Sequence, residues 1–303
     1  MPEACRLFFM PELPEVETIA RGLHQRVAGD AIESVWLGSK PQTMKSRPYE
    51  IAATLERTRI AQVHRMGKHI VFDLERNGAA RAPSPAKASR QLAKSRRRAL
   101  PLGARSQWIV HLGMTGRLLV CEPDAELEKH THAIIKLKSG RELRFVDPRR
   151  FGRLSVASQG DFEAGGFEPL EVDSERFVAL FRGRKTPIKS ALLNQKLLRG
   201  VGNIYADESL FRAGIRPRRR AATLSRKQLG RLYASVREVL QEAIALGGSS
   251  ISDYVDADGE EGLFQLQHRV YGREGEPCLV CKTPIKRLVI AGRSSHHCPK
   301  CQK

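Results

Sequence analysis

Cys278-Leu279-Val280-Cys281 and Cys298-Pro299-Lys300-Cys301 stand near the end of this chain and enclose a segment of 16 residues. Two such knuckles, one on each side of a hairpin-sized loop, have the spacing of a tetrahedral S4 zinc site. Four thiolates leave no open position, so one structural Zn2+ is expected. Iron also accepts four thiolates, but a lone rubredoxin-like iron site has no obvious use beside so basic a segment. The loop between the knuckles carries Lys282, Lys286, Arg287 and Arg293. A metal-clamped hairpin of that charge reads as a phosphate-binding finger. His296 and His297, just before Cys298, are expected at the surface or in packing rather than as ligands.

The rest of the composition agrees with a polyanionic partner. The chain has 303 residues and a formal charge of +19, from 52 Lys and Arg against 33 Asp and Glu. That length can bury a substantial core and form two or three domains. No apolar run is long enough to cross a membrane, and Arg6 to Met10 is too short for a secretory core. Cys5 and Cys121 stand alone, so the cysteines are not a secreted disulfide set, and a reducing compartment fits.

Upstream of the finger the pattern is helical. Lys189 to Leu198 reads as a short helix, Arg199-Gly200-Val201-Gly202-Asn203 as a tight turn, and Ile204 to Ala213 as a second helix stopped by Gly214. Ser225 with Gln228 forms a capping box opening a long helix, with Leu232, Val236, Leu240 and Ile244 toward the core. Before Phe167 the pattern is strand-like: Ile32 to Leu37, Ile60 to His64, His69 to Leu74 and Ile109 to Leu112. Ile134 to Leu137 and Leu143 to Val146 follow, joined by Ser139-Gly140 in a hairpin. No further helix is expected among these strands, which suggests a sandwich or barrel-like domain. The stretch 79–107 carries eight Lys and Arg and no acid, with Pro83 and Pro85, and reads as a basic, largely disordered insertion.

The chain reaches this sheet through Met10-Pro11-Glu12-Leu13-Pro14-Glu15. Leu13 to Val27 reads as a helix with Pro14 in its first turn and Val16, Ile19, Leu23 and Val27 on one face. Pro11 and Glu12 then sit at a helix mouth, where backbone N–H groups favour phosphate. A secondary amine at the start of a protein is a nucleophile that almost no other position supplies. It exists only if Pro11 is the first residue, so residues 1–9 are expected to be a mis-assigned or removable leader.

MPELPEVET at Met10, HLGMTGRL at His111 to Leu118 and DPRRFG at Asp147 to Gly152 resemble the bacterial formamidopyrimidine-DNA glycosylase family (8-oxoguanine DNA glycosylase and AP lyase). So do KSALLNQKLLRGVGNIYADESLF at Lys189 to Phe211 and the terminal PCxxC…GRSSxxCPxCQ. The motifs occur in the family's order from Met10 to Lys303. The resemblance implies an α+β multidomain fold. It has an N-terminal β-sandwich flanked by helices (10–158), a helix-two-turn-helix DNA-binding domain (159–268) and a four-cysteine zinc finger (269–303), with DNA in the cleft between.

The resemblance also implies the chemistry. Pro11 matches the proline that attacks C1′ of a flipped-out damaged nucleotide, expels the base and forms an imine. Glu12 matches the acid that moves protons in base loss and sugar opening, and Glu15 a second acid that orients the sugar or the amine. Lys68 matches the lysine that binds phosphates and serves β-elimination; Arg293 matches the finger arginine assigned to δ-elimination, better suited to clamping the leaving phosphate. Met114, Arg149 and Phe151 match the side chains that fill the gap in the duplex. His130, Lys185, Lys189 and Asn203 match DNA contacts. Ser249, Ser250 and Tyr254 match a loop that closes on the extruded base.

The expected activity is bifunctional removal of oxidised purines from duplex DNA followed by β,δ-elimination. The expected protein is a monomer, cytoplasmic and nucleoid-associated, without membrane contact. Endonuclease VIII-type enzymes for oxidised pyrimidines begin PEGPE and lack the HLGMTG and DPRRFG forms. A non-catalytic zinc-finger protein would not need Pro11, Glu12 and Lys68 together. Two features depart from the family pattern besides the leader: the insertion, and His297 where an aromatic or apolar residue usually stands.

Overall fold

The computed structural model describes residues 10–76, 105–250 and 262–303. Its helices are α1 (Leu13–Val27), α2 (Pro48–Leu55), α3 (Ser174–Phe181), α4 (Ile188–Leu192), α5 (Asn203–Ala213) and α6 (Arg226–Ala245). Its strands are β1 (Ile32–Leu37), β2 (Arg59–Met66), β3 (His69–Glu75), β4 (Arg105–His111) and β5 (Arg117–Cys121). They continue with β6 (Thr131–Leu137), β7 (Glu142–Val146), β8 (Arg153–Ser158), β9 (Lys286–Ile290) and β10 (Arg293–His297). Two four-stranded sheets have the orders β1-β6-β7-β5 and β2-β3-β4-β8, and β9 pairs with β10.

The chain divides into two compact units that do not follow its linear order. One holds the described residues of 23–64 and 71–162, the other those of 10–22, 65–70 and 163–303. In the first unit, the β6–β7 hairpin turns at Ser139-Gly140 as its sequence suggests, with Gly140 at φ +96°. Phe72 and Trp108, both buried, meet with ring centroids 4.7 Å apart and centre the apolar core.

Helix α1 begins in the second unit, where Pro14 permits, and Val16, Ile19, Leu23 and Val27 are buried along one stripe. The capping box of α6 is formed: the Ser225 hydroxyl accepts from the Gln228 N–H, and Gln228 Oε1 accepts from the Ser225 N–H. Leu232, Val236 and Leu240 are buried beneath it, and Ile244 is half-buried. Gly214 ends α5 at φ +68°, the left-handed conformation that glycine adopts without strain.

Three expectations need correction. The helix expected over 189–198 stops at Leu192, because Asn194 Oδ1 accepts the Lys196 N–H two residues on and turns the chain. A helix does interrupt the early strands: α2 starts at Pro48 and buries Ile51 and Leu55, too few turns to show a clear period. The basic stretch is shorter than expected, since Arg105, Ser106 and Gln107 open β4, where Ser106 and Gln107 pair with β8. The remainder of that stretch, 79–104, lies outside the described residues, as does the leader 1–9. No described helix is long and apolar enough to cross a membrane.

Candidate active site

Pro11 and Glu12 are buried just before α1. The Leu13 N–H donates to the Gly200 carbonyl at 3.0 Å, which pins this segment to the glycine turn. Glu12 Oε1 accepts from the Ile204 N–H at 3.2 Å, and the carboxyl faces the first backbone N–H groups of α5. The orphan donors and positive end of α5 thus hold an anion. Burial nevertheless pushes the Glu12 pKa up, against the opposing pull of Lys68 and those N–H groups. A carboxyl poised this way can both give and take a proton.

The turn leaves no space for anything larger than glycine. A Cβ on Gly202 would lie 2.1 Å from the Glu12 carboxyl carbon. Gly202→Ala is therefore expected to displace the carboxylate and cut base excision by about 100-fold, the scale for a misplacement of about 1 Å. Single-turnover excision measures this, and an unchanged rate would show that Glu12 is not the proton carrier.

Glu15, one turn along α1, is wholly buried. It accepts from the Glu12 N–H and the Ser249 N–H, each at 2.8 Å, and from the Tyr205 hydroxyl. Burial, reinforced by the Glu12 charge, pushes its pKa up to about 7. Its side chain thus joins the start of α1, the first turn of α5 and the root of the segment after Gly248. Ser249 and Ser250, expected on a closing loop, form that root. Ser249 Oγ lies 2.9 Å from His268 Nε2, and Ser250 Oγ accepts the Gly262 N–H. Tyr254 lies outside the described residues.

Lys68 is half-buried on the turn between β2 and β3. Burial lowers its pKa, as does Arg293, while Glu12 and Glu15 favour its charged form. Glu12, Glu15 and Arg293 therefore all act on the Lys68 amine. Arg293 is exposed at the start of β10, after the turn Ala291-Gly292 with φ +47° and +77°. Positive φ at both turn residues suits a two-residue hairpin.

Lys189 is not available to DNA as expected. It is 0% exposed, its ammonium pairs with Asp207 Oδ1 at 2.7 Å and it donates to the Ser294 carbonyl at 2.7 Å. A buried ammonium needs such partners, and here it fastens β10 beside Arg293. Asp207 completes the anchor by accepting the His296 N–H at 2.8 Å. Asn203, half-buried, donates to Ser294 Oγ at 3.3 Å. Lys185 is exposed, as a phosphate contact requires.

The four cysteine sulfurs converge within 4.8 Å of one another, with Sγ–Sγ distances of 3.4 Å for Cys281–Cys298 and 3.9 Å for Cys278–Cys301. Zinc–thiolate bonds of about 2.3 Å in a tetrahedron place sulfurs about 3.8 Å apart, so this four-cysteine cluster can coordinate a structural zinc ion. The finger is docked by groups that the spacing of cysteines does not reveal. Glu208 accepts the N–H groups of Arg269, Val270 and Tyr271 at 2.8–2.9 Å. Gln302 donates to the Ile215 carbonyl and accepts the Cys298 N–H. Two adjacent acids, Asp207 and Glu208, buried in a chain this basic, were the available signal. His296 and His297 are buried, so packing is their role.

In the other unit, Met114 lies half-buried between β4 and β5, and Arg149 and Phe151 lie between β7 and β8. The Arg149 guanidinium stacks 4.8 Å from the Phe151 ring, which is 46% exposed. Asp147, fully buried, ties the two loops together by accepting from Thr115 Oγ1, the Arg149 N–H and the Gly152 N–H. His130, at φ +72°, accepts the Asp147 N–H at its carbonyl. Three side chains presented on two stapled loops have the form that insertion into a base stack would need.

A buried acid, a lysine and a finger arginine gather around the start of a helix, with a four-cysteine cluster behind the arginine. Three family models match in order. They are the formamidopyrimidine-DNA glycosylase N-terminal domain at residues 10–154, its H2TH domain at 166–255, and the zinc finger found in FPG and IleRS at 275–303. A formamidopyrimidine-DNA glycosylase of Solibacter usitatus is 43% identical over 302 residues, covering 97% of this chain and 100% of the relative. The crystal structure of the MutM (Fpg) protein from Thermus thermophilus is 40% identical with a TM-score of 0.78, covering 96% of this chain and 98% of that one. The Lactococcus lactis Fpg, solved in complex with DNA containing an abasic site, is 32% identical with a TM-score of 0.81, covering 96% and 99%.

The chain belongs to the formamidopyrimidine-DNA glycosylase family. It is a bifunctional DNA glycosylase and AP lyase of base excision repair that acts on oxidised purines, and DNA is its partner. These relatives are bacterial.

Proposed function

We propose that the secondary amine of Pro11, freed by removal of the residues before it, attacks C1′ of an 8-oxoguanine or formamidopyrimidine nucleotide in duplex DNA. The bond from C1′ to the base breaks, and the base leaves with a proton. Glu12 protonates the ring oxygen as the sugar opens, which leaves an imine between Pro11 and C1′. Lys68 takes the C2′ proton for β-elimination of the 3′ phosphate. Arg293 clamps the phosphate that leaves in the δ step. Met114, Arg149 and Phe151 fill the vacated stack, while His130, Lys185 and Asn203 hold the flanking strand. Zinc, when bound to the four cysteines, fixes the finger that presents Arg293. The enzyme works as a monomer in the cytoplasm, at the nucleoid, without membrane contact.

The observation that carries this reading is the Glu12 carboxyl, buried beside Pro11 at the mouth of α5 and in the field of Lys68. The start of the family match at residue 10 supports Pro11 as the working terminus. Duplexes carrying 8-oxoguanine opposite cytosine should be cut on both sides of the lesion, and should compete effectively with duplexes carrying oxidised pyrimidines. Much faster processing of the pyrimidines would move the assignment to an endonuclease VIII-type enzyme.

A further inference from the structure

The turn that carries Lys68 is held by a side chain with no part in the chemistry so far. Glu168 is 6% exposed and lies far from Lys68 in sequence. Its Oε1 accepts from the Gly67 N–H at 2.8 Å, from Arg65 Nη1 at 2.9 Å and from Arg199 Nε at 2.9 Å. Its Oε2 pairs with Arg65 Nη2 at 2.8 Å. Arg65 Nη1 also donates to the Gly67 carbonyl at 3.1 Å. Both backbone polar groups of Gly67, the residue before Lys68, are thus fixed by one buried ion pair.

The same carboxylate reaches the other side of the active site. Arg199 stands immediately before Gly200, whose carbonyl holds Leu13, and close to Gly202, which makes room for Glu12. Arg199 is itself fastened by its N–H to the Phe167 carbonyl at 3.0 Å, next to Glu168. Arg65 donates on to Glu17 of α1 at 2.8 Å. Glu168 therefore links three pieces: the Lys68 turn, the Glu12 pocket and, through Arg65, the helix that follows Pro11. Arg65, the Gly67 N–H and Arg199 hold its carboxyl below the ordinary carboxylate range despite burial, so it stays charged at neutral pH.

Charge-assisted bonds of this kind are short and directional, and removing one partner leaves the others buried and unpaired. Simple stabilisation could be achieved by apolar packing at lower desolvation cost. A carboxylate that accepts from several donors is suited to fixing a register between backbone segments.

We propose that Glu168 is a positioning residue for the lyase step: it sets the Gly67–Lys68 turn against the Gly200–Asn203 turn, so that the Lys68 amine meets the sugar held on Pro11. The proposal rests on Lys68 as the group that takes the C2′ proton. In that step the C2′–H electron pair becomes the C2′=C3′ double bond, and the C3′–O bond breaks to release the phosphate. A lysine on a loosened turn would still bind phosphate but would meet C2′ less often.

The test is a double-mutant cycle on a duplex carrying a pre-formed abasic site, read as the single-turnover rate of strand cleavage. Glu168→Gln is expected to slow cleavage about 10- to 100-fold, while the yield of borohydride-trapped imine stays near that of the parent protein. In a Lys68→Ala background the same substitution should cost no more than about twofold, because its effect passes through Lys68. A full multiplicative loss on top of Lys68→Ala would overturn the positioning role and leave Lys68 intact as the proton acceptor. No effect of Lys68→Ala by itself would overturn the reading of Lys68, and this proposal with it. Should Glu168→Gln fail to fold, judged by its melting temperature, Arg199→Gln removes one limb of the network and enters the same cycle. Its slowing should likewise vanish without Lys68, and persistence of that slowing overturns the proposal.

Discussion

A protein that begins at Pro11 will be trapped on 8-oxoguanine DNA by borohydride, and one that retains residues 1–10 will not. The lone pair of a peptide nitrogen is delocalised into the carbonyl and is not nucleophilic. A terminal secondary amine with a pKa near 8 has a usable neutral fraction at about pH 7, whereas an unperturbed lysine is almost wholly charged. The expected loss in excision for the extended form is roughly 1,000-fold or more, the scale for removing a nucleophile that acts as part of a unit. The mass of the N-terminus in cell-derived, active protein decides which form exists. Full activity in a protein whose first residue is Pro2 would overturn the assignment. So would an imine mapped to Lys68 in the extended form.

Withdrawal of zinc, by chelation or by Cys298→Ser, should abolish DNA binding before it disturbs the sheets. The finger has almost no core of its own: Val270 and Ile285 pack with Cys278, Cys298 and the side chain of Phe211. Metal binding is folding energy for so small a module, on the order of 10 kcal/mol. Without it Arg293 loses its hairpin while the Glu12 carboxyl keeps its place at the mouth of α5. Affinity for an abasic-site duplex should drop at least about 100-fold, since both phosphate contacts and register are lost. The two tryptophans, Trp36 and Trp108, report on the other unit alone, and their fluorescence should stay unchanged. Retained affinity after complete metal removal would show that the finger is not the phosphate grip.

Local patterns made the chain's main elements legible. The stripe of α1, the capping box of α6 and the left-handed glycine after α5 each rest on neighbours within a few residues. The cysteine knuckles were legible for the same reason, because the ligand spacing is the site. Short elements such as α2 and α4 were harder: α2 has too few turns to show a period, and α4 is cut off by an asparagine side chain rather than by glycine or proline. What was not legible is long-range pairing. Nothing around Glu168 marks it as the partner of Gly67, and Asp207 does not announce that it will draw Lys189 away from solvent. A lysine matched to a motif looks available for phosphate until its buried partner is known. Asp147 is the same case, a residue inside a recognised motif whose work is to staple two loops.

The working centre draws on both ends of the chain. Pro11, Glu12 and Glu15 leave the ribosome among the first residues, yet the helix mouth that receives Glu12 comes from 202–205, and Arg293 comes almost last. All of these belong to one compact unit into which residues 65–70 are also drawn. The proposed nucleophile is thus made long before the surroundings it would work in. A prematurely terminated product would carry Pro11 but neither the α5 cradle nor the four-cysteine finger. On the proposed mechanism, synthesis order would itself withhold strand cutting until the last cysteine is in place, a safeguard for an enzyme whose product is a broken DNA strand.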